Sequence, residues 1–250
     1  MTHFTAVIVP CYNEEKRLNS DSFLSFVKSN TNIHLWFAND GSTDSTLTVI
    51  HRLAAQLPDQ IHVFDLKKNA GKAEVLRQSF LHVQASAQYS FIGFIDADLS
   101  CPLREIFPVL HQLEQDNSLI LSVGVRIKIL GNDIERKPMR HYISRIFATF
   151  YNVILRMPNY DTQCGLKMFN AAYIPQVFEE KFISKWLFDI ELFLRIQGII
   201  GRSNYEKRIR EIPVSEWKEI GGSKLKITDF LKAPLEVLKI RKKYINIIKS

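Results

Sequence analysis

The chain has 250 residues, 46% of them hydrophobic and 24% charged, enough apolar material for one large or two small globular domains. Ten Gly and nine Pro exclude a fibrous or low-complexity chain, and no run of about 18 uncharged apolar residues reads as a bilayer span. The net charge of +7 is lopsided, because residues 201–250 hold 13 Lys/Arg against 6 Asp/Glu while the first 200 cancel. A basic tail on a neutral body suits an anionic membrane surface at least as well as nucleic acid. Met1–Val9 lacks the basic-then-apolar pattern of a signal peptide. Three widely spaced cysteines, Cys11, Cys101 and Cys164, argue against a disulfide framework and for a reducing compartment.

Short apolar runs alternate with helical periodicity through the first half. Thr5–Val9 predicts a strand, followed by a helix near 20–29. His34–Ala38, Ile61–Leu66, Phe91–Ile95 and Leu119–Val125 predict four more strands, with helices near 43–57, 71–87 and 103–115 between them. This alternation implies right-handed crossovers and a largely parallel sheet, whose ligands sit beyond the carboxyl ends of the strands. Ile127–Pro138 reads as a polar, partly basic loop. Arg140–Arg156 carries Ile143, Ile146, Phe147, Phe150, Tyr151 and Ile154 as a helical stripe. Gly165–Phe169 and Arg208–Val214 read as strands and Leu187–Ile196 as a helix. Ile227–Ile248 reads as a basic helix with Pro234 near its start. Along one side run Val237, Ile240, Tyr244, Ile247 and Ile248, with Lys239, Arg241, Lys242, Lys243 and Lys249 elsewhere, a pattern suited to the headgroup region of anionic lipid.

The residues after each strand carry the chemistry. Strand one runs into Pro10-Cys11-Tyr12-Asn13-Glu14, and strand two into Asn39-Asp40-Gly41-Ser42-Thr43-Asp44, which taken alone is a turn plus helix cap. Asn69-Ala70-Gly71-Lys72 opens a helix without the upstream Gly of a Walker A loop. A Lys there either meets a phosphate or is solvated. Asp96 and Asp98, at i and i+2 in an extended segment, face the same way and repel unless a cation sits beside them. Oxygen-only ligands suit Mg²⁺ or Mn²⁺, which keeps waters and accepts phosphate oxygens. Glu14, Asp40, Lys72 and Asp98 therefore fall at successive strand ends of one sheet.

Pro-x-Tyr-Asn-Glu, Asn-Asp-Gly-Ser-x-Asp, Asn-x-Gly-Lys and Asp-Ala-Asp, in that order, resemble the family-2 inverting glycosyltransferases of the GT-A fold. Three later segments are similar to dolichyl-phosphate β-glucosyltransferases and bacterial polyprenyl-phosphate glycosyltransferases: Asp161–Phe169, Trp186–Leu192 and Trp217–Leu225. The resemblance implies an α/β, Rossmann-like, mostly parallel sheet flanked by helices, with amphipathic helices in the C-terminal half. It implies a single domain over 1–225, with a nucleotide-sugar half (1–125) and an acceptor half (126–225), followed by a basic helix over 226–250. By the same resemblance Pro10, Tyr12, Glu14, Asp40, Lys72, Asp96 and Lys224 would bind the nucleotide sugar and Asp98 the metal. Arg126, Arg140 and Ser144 would hold an acceptor phosphate. Ser100 stands where related mannosyltransferases often have Gln, and its shorter side chain leaves a second protein ligand to the metal open.

The reaction implied is transfer of a hexose, glucose by the resemblance, from a UDP-sugar to a polyprenyl or dolichyl phosphate, with Mg²⁺ or Mn²⁺ as Lewis acid. The expected place is cytoplasmic, peripheral on the inner face of a membrane; no N-terminal anchor of the eukaryotic relatives is expected. A saccharide hydroxyl is the alternative acceptor and would need a base, for which Asp161 is the candidate and Asp189 or Glu191 the alternatives. A lipid monophosphate is already mostly dianionic at neutral pH and needs none. Trp186 and Trp217 line a sugar pocket or pack in the core. A non-catalytic basic module is the third reading, but strand-edge acids are poor partners for nucleic acid, and no nucleic-acid partner is expected.

Overall fold

The computed structural model describes residues 4–135, 149–220 and 227–249. The first half alternates as predicted: β1 (Thr5–Cys11), α1 (Ser20–Ser29), β2 (Ile33–Asp40), α2 (Thr46–Gln56), β3 (Ile61–Leu66), α3 (Lys72–Ala85), β4 (Phe91–Ile95), α4 (Ile106–Gln115) and β5 (Leu121–Val125). Then follow β6 (Asp133–Glu135), α5 (149–155), β7 (Leu166–Asn170), α6 (Ile174–Phe178), α7 (Phe188–Ile200), α8 (Tyr205–Arg208), β8 (Ile209–Pro213), β9 (Glu216–Lys218), α9 (Ile227–Lys243) and α10 (Ile245–Lys249).

Seven strands form one sheet in the order β3-β2-β1-β4-β7-β5-β8. Every pair is parallel except those of β7, which runs antiparallel to both β4 and β5. Helices cover both faces, so the residues of the inner strands β1, β4 and β5 are buried on each side and read as continuous apolar runs, while the edge strands β3 and β8 are only half-buried. Ala6, Ile8, Ile92 and Phe94 face the core built with α3, α6, α7, α9 and α10. Val7, Val9, Phe91 and Ile95 face the core built with α1, α2 and α4.

Three expectations are corrected. The polar loop predicted at Ile127–Pro138 contains β6, which pairs in parallel with β9 and buries Ile134 against Trp217 as the apolar members of that two-stranded sheet. Pro234 lies inside α9 rather than at its start. A Pro costs about 3 kcal/mol inside a helix, and burial of Ala233, Val237 and Ile240 carries the helix through it. The third correction concerns the stripe assigned to lipid: Val237, Ile240, Tyr244 and Ile248 are at most 7% exposed and belong to the main core. The C-terminal helices thus close the same core as the preceding chain, and their apolar stripe is not available to a membrane. Of the Ile143–Ile154 stripe, the part before 149 lies outside the described residues; Tyr151 and Ile154 pack on the core while Phe150 is exposed.

Glu191 and Arg195, a helical i, i+4 pair, are both buried and meet the Tyr244 hydroxyl, which accepts from Arg195 Nε (3.1 Å) and donates to Glu191 Oε1 (2.8 Å). Tyr244→Phe leaves that charge pair short of a partner and should cost about 1–3 kcal/mol in urea unfolding.

A second polar feature lies over the β2–β3 side of the sheet. His34 Nδ1 meets the Tyr89 hydroxyl at 3.0 Å, His34 and His62 rings lie 5.6 Å apart, and His82 packs on Trp36 and Phe64. Burial lowers the pKa of His34 below its ordinary 6.5; burial, then the His34 charge, lowers that of His62, while Asp59 opposes both. Neutral imidazoles therefore favour the folded state. Their contribution is fully present above pH 6.5 and is lost as pH falls through the lowered folded values. Urea midpoints should drop between pH 7.5 and 5.5, and His62→Gln should flatten that drop.

Candidate active site

The carboxyl edge of the sheet gathers the predicted residues. After β1, Asn13 takes a left-handed conformation (φ 50°), its N–H donating to Ser42 Oγ (3.0 Å) and its Oδ1 accepting from the Thr43 N–H (2.8 Å). Glu14 is 7% exposed and its carboxylate is gripped by Arg17 Nε (2.8 Å) and Nη2 (2.6 Å). Its N–H donates to Thr46 Oγ1, tying the β1 turn to the start of α2. Pro10 and Tyr12 flank this turn, both half-buried.

Asp40, at the end of β2, accepts from the N–H groups of Ala70 (2.7 Å) and Gly71 (2.9 Å) and from Asn69 Nδ2 (3.0 Å). It shapes the loop that starts α3. Gly71 sits at φ 95°, a conformation that costs other residues dearly, and this turn places Lys72 as the first helical residue.

Lys72 reaches across to β4, its Nζ 2.5 Å from Asp96 Oδ1 and over the Phe94 ring at 5.5 Å. Burial disfavours its cation, but Asp96, Asp189 and Asp98 outweigh that and hold its pKa above the ordinary lysine value. The Asp96 N–H donates to the Gly165 carbonyl (3.1 Å), joining the end of β4 to the start of β7. The Asp96–Leu99 turn closes with the Leu99 N–H on the Asp96 carbonyl (3.2 Å), with Leu99 at φ 51°, a strained position for a branched side chain. Asp98 Oδ1 accepts from the Ser100 N–H (3.0 Å) and the side chain stays half-buried.

On the other side of the edge, Arg126 after β5 holds Asp161 in a bidentate pair, Nε at 2.6 Å and Nη2 at 2.7 Å, with the Trp217 ring 5.3 Å from the guanidinium. Burial disfavours the Arg126 cation, and Asp161 more than restores it, holding the pKa above the ordinary arginine value. Trp217 is 9% exposed and packs in the core beside Arg126. The buried Glu105 carboxylate anchors β9 through the Ser215 N–H (2.9 Å) and hydroxyl. Trp186 packs half-buried against the main core.

Asp40, Lys72, Asp96 and Asp98 are thus brought together along one edge, Glu14 beside them and Arg126 with Asp161 on the β5 side. Arg140, Ser144 and Lys224 lie outside the described residues. Asp161 is engaged with Arg126 rather than presented alone as a base. Of the alternatives, Asp189 turns to the site and Glu191 turns away to Arg195, as two residues on different helical faces must. One charged residue beside the site was not singled out from the sequence. Lys167, 0% exposed, meets Asp189 Oδ1 at 2.6 Å and the Cys164 carbonyl at 2.8 Å. Its signal was legible: a lysine inside the apolar strand Leu166–Phe169 needs a buried acid.

Among the described residues no three His, Cys, Asp or Glu cluster as a complete metal cage. The donors present fit a different kind of site, with Asp98 oriented by a backbone N–H and half open beside Asp96. Mg²⁺ or Mn²⁺ held by one or two carboxylates takes its other ligands from water and substrate phosphate.

Known proteins are similar to this chain in sequence and in fold. The dolichyl-phosphate beta-glucosyltransferase ALG5C of Trichomonas vaginalis is 28% identical over 249 residues, spanning 95% of this chain and 70% of that protein. The dolichyl-phosphate beta-glucosyltransferase of Saccharomyces cerevisiae is 28% identical over 263 residues, spanning 97% and 75%. The crystal structure of glucosyl-3-phosphoglycerate synthase from Mycobacterium tuberculosis superposes with a TM-score of 0.70 at 15% identity, over 97% of this chain and 80% of that one. A crystal of that enzyme with Mn²⁺, uridine diphosphate and glucosyl-3-phosphoglycerate gives 0.69. At this identity the crystals speak to the fold. The family model described as Glycosyl transferase family 2 matches residues 6–178, from β1 through α6. A match over most of the sheet and the whole donor-side edge makes this chain a glycosyltransferase of family 2.

Proposed function

We propose that the protein moves a hexose, glucose in the first instance, from a UDP-sugar to a polyprenyl or dolichyl phosphate. The observation that carries this reading is the pairing of two unlike half-sites on one sheet edge. The donor side has Asp96 and Asp98 with Lys72, and the acceptor side has a half-buried Arg126 held in a bidentate pair by Asp161. The names of the relatives, dolichyl-phosphate beta-glucosyltransferases, supply the acceptor class and the sugar.

In this reading Asp98, with Asp96 beside it, holds Mg²⁺ or Mn²⁺, which supplies charge neutralisation for the departing diphosphate. Lys72 adds a fixed cation on the same side, and the Asp40-bound loop keeps the start of α3 in place for it. Arg126 offers its guanidinium to the acceptor phosphate, and Asp161 positions Arg126 instead of taking a proton. A phosphate dianion needs no base, whereas a saccharide hydroxyl would.

Peripheral attachment to the cytosolic face of a membrane belongs to the same proposal. With the buried stripe of α9 removed from consideration, the opposite side supports it: Leu235 and Leu238 are 62% and 50% exposed, with Lys239 and Lys242 exposed beside them. These four are spaced i, i+3, i+4 and i+7 on one face.

Purified protein with radiolabelled UDP-sugars, Mn²⁺ and undecaprenyl or dolichyl phosphate, extracted into organic solvent, tests the reading. Label from UDP-glucose in the organic phase is expected. Label that stays aqueous, or reaches only soluble saccharides, overturns the acceptor assignment.

A further inference from the structure

Beneath the donor side lies an ion pair that the proposed mechanism does not use. Lys167 sits on β7 directly opposite Phe94 of β4, on the face turned toward the main core, with no exposed surface. Its ammonium meets Asp189 Oδ1 at 2.6 Å and the Cys164 carbonyl at 2.8 Å. Stability does not explain the pair, because apolar residues of similar volume at such positions are often as stable or more so.

What the pair does is fix a carboxylate. Asp189 lies in the first turn of α7 and is 7% exposed. Among the described residues Lys167 engages Oδ1, no hydrogen bond reaches Oδ2, and about a tenth of the side chain, 10%, stays open. Asp189 lies next to the donor side, within electrostatic reach of Lys72 and Asp96. The Lys72 and Lys167 ammonium groups share the Phe94 ring, at 5.5 and 5.2 Å, and Lys72 also lies 6.0 Å from the ring of Phe188, the neighbour of Asp189. The groups thus form one row at the strand edge: Asp96, Lys72, Lys167, Asp189. A carboxylate locked by one oxygen and open at the other is an acceptor of fixed direction, suited to a sugar hydroxyl.

We propose that Lys167 is a positioning residue that locks Asp189 so that Oδ2 accepts a hydroxyl of the transferred sugar, making the pair a determinant of donor choice. This rests on the nucleotide-sugar reading above and adds to it which groups read the sugar.

The test needs a variant that folds. Lys167→Met alone strands a buried carboxylate, so it is paired with Asp189→Leu, which removes both charges and keeps an apolar core. Asp189→Asn in the Lys167→Met background is a second, more isosteric form. Thermal unfolding, calorimetric binding of UDP and of UDP-glucose, and KM and kcat are read on each. Expected is a melting temperature near wild type and UDP affinity within about twofold. KM for UDP-glucose should rise about 10- to 100-fold, the loss of one charged hydrogen bond. Wild type should also reject one deoxy-UDP-glucose that both double variants accept as readily as UDP-glucose. A double variant that keeps wild-type KM and wild-type ranking of deoxy donors overturns the inference and leaves the pair to packing. Wild type that binds no UDP at all overturns instead the reading on which it rests.

Discussion

Alanine at position 165 should lower transfer by about 10²-fold while the protein stays folded. Gly165 lies where β7 starts beside the end of β4, and its carbonyl takes the Asp96 N–H. A Cβ built there stands 2.2 Å from Asp96 Oδ2 and 2.4 Å from Asp96 Cγ, closer than a real Cβ approaches. The backbone partners are fixed by the β4–β7 ladder, whose first pair is Ile95 with Leu166, so the carboxylate must swing instead. Swinging it breaks the contact to Lys72 and spoils the spacing between Asp96 and Asp98. Steady-state kinetics with thermal unfolding on the same preparation check this. Near-normal kcat/KM in Gly165→Ala would mean the orientation of Asp96 is unimportant to transfer.

Asp98→Asn should be more severe, about 10³-fold in kcat, because it removes the carboxylate best placed to hold the divalent ion and with it several kcal/mol of charge stabilisation. The amide keeps the shape and still accepts from the Ser100 N–H, so folding should be unaffected. Binding of Mn²⁺ in the presence of UDP, followed by the relaxation of water protons, should fall in parallel. A variant that binds Mn²⁺ normally would move the metal to other ligands.

The five strands of the first half and the helices between them were legible in the chain, because β1, β4 and β5 are buried on both faces and announce themselves as apolar runs, while β2 and the edge strand β3 keep enough apolar residues to show as strands. The residues after those strands were legible for a related reason, since a parallel sheet sends every one of its strand ends to the same side. What the chain did not disclose was direction and partnership. Gly165–Phe169 reads as a strand, but nothing local tells that β7 enters antiparallel between β4 and β5. Asp133–Glu135 and Glu216–Lys218 are too short to show a period, and they are strands only because each supplies the other's ladder from about eighty residues away.

The C-terminal stripe shows the same division at the level of function. Val237, Ile240, Tyr244 and Ile248 have the spacing of a helix with one apolar face, and that much is local. Whether such a face meets lipid or protein depends on what stands opposite, and here α7 does: a Cβ on Gly198 would touch Ile247, and Tyr244 completes the Glu191–Arg195 pair. Arg126 and Asp161 likewise are separate candidates along the chain and one bidentate unit in space.

Composition, periodicity and the punctuation of strand ends thus determined the element order of the first half, the α/β class and the acids and cations that follow those strands, because these follow from interactions within a few residues. Pairing was decided by the tertiary structure alone. A charge chooses its counter-charge, and an apolar face its cover, by distance through space, and no spacing along a chain encodes that distance.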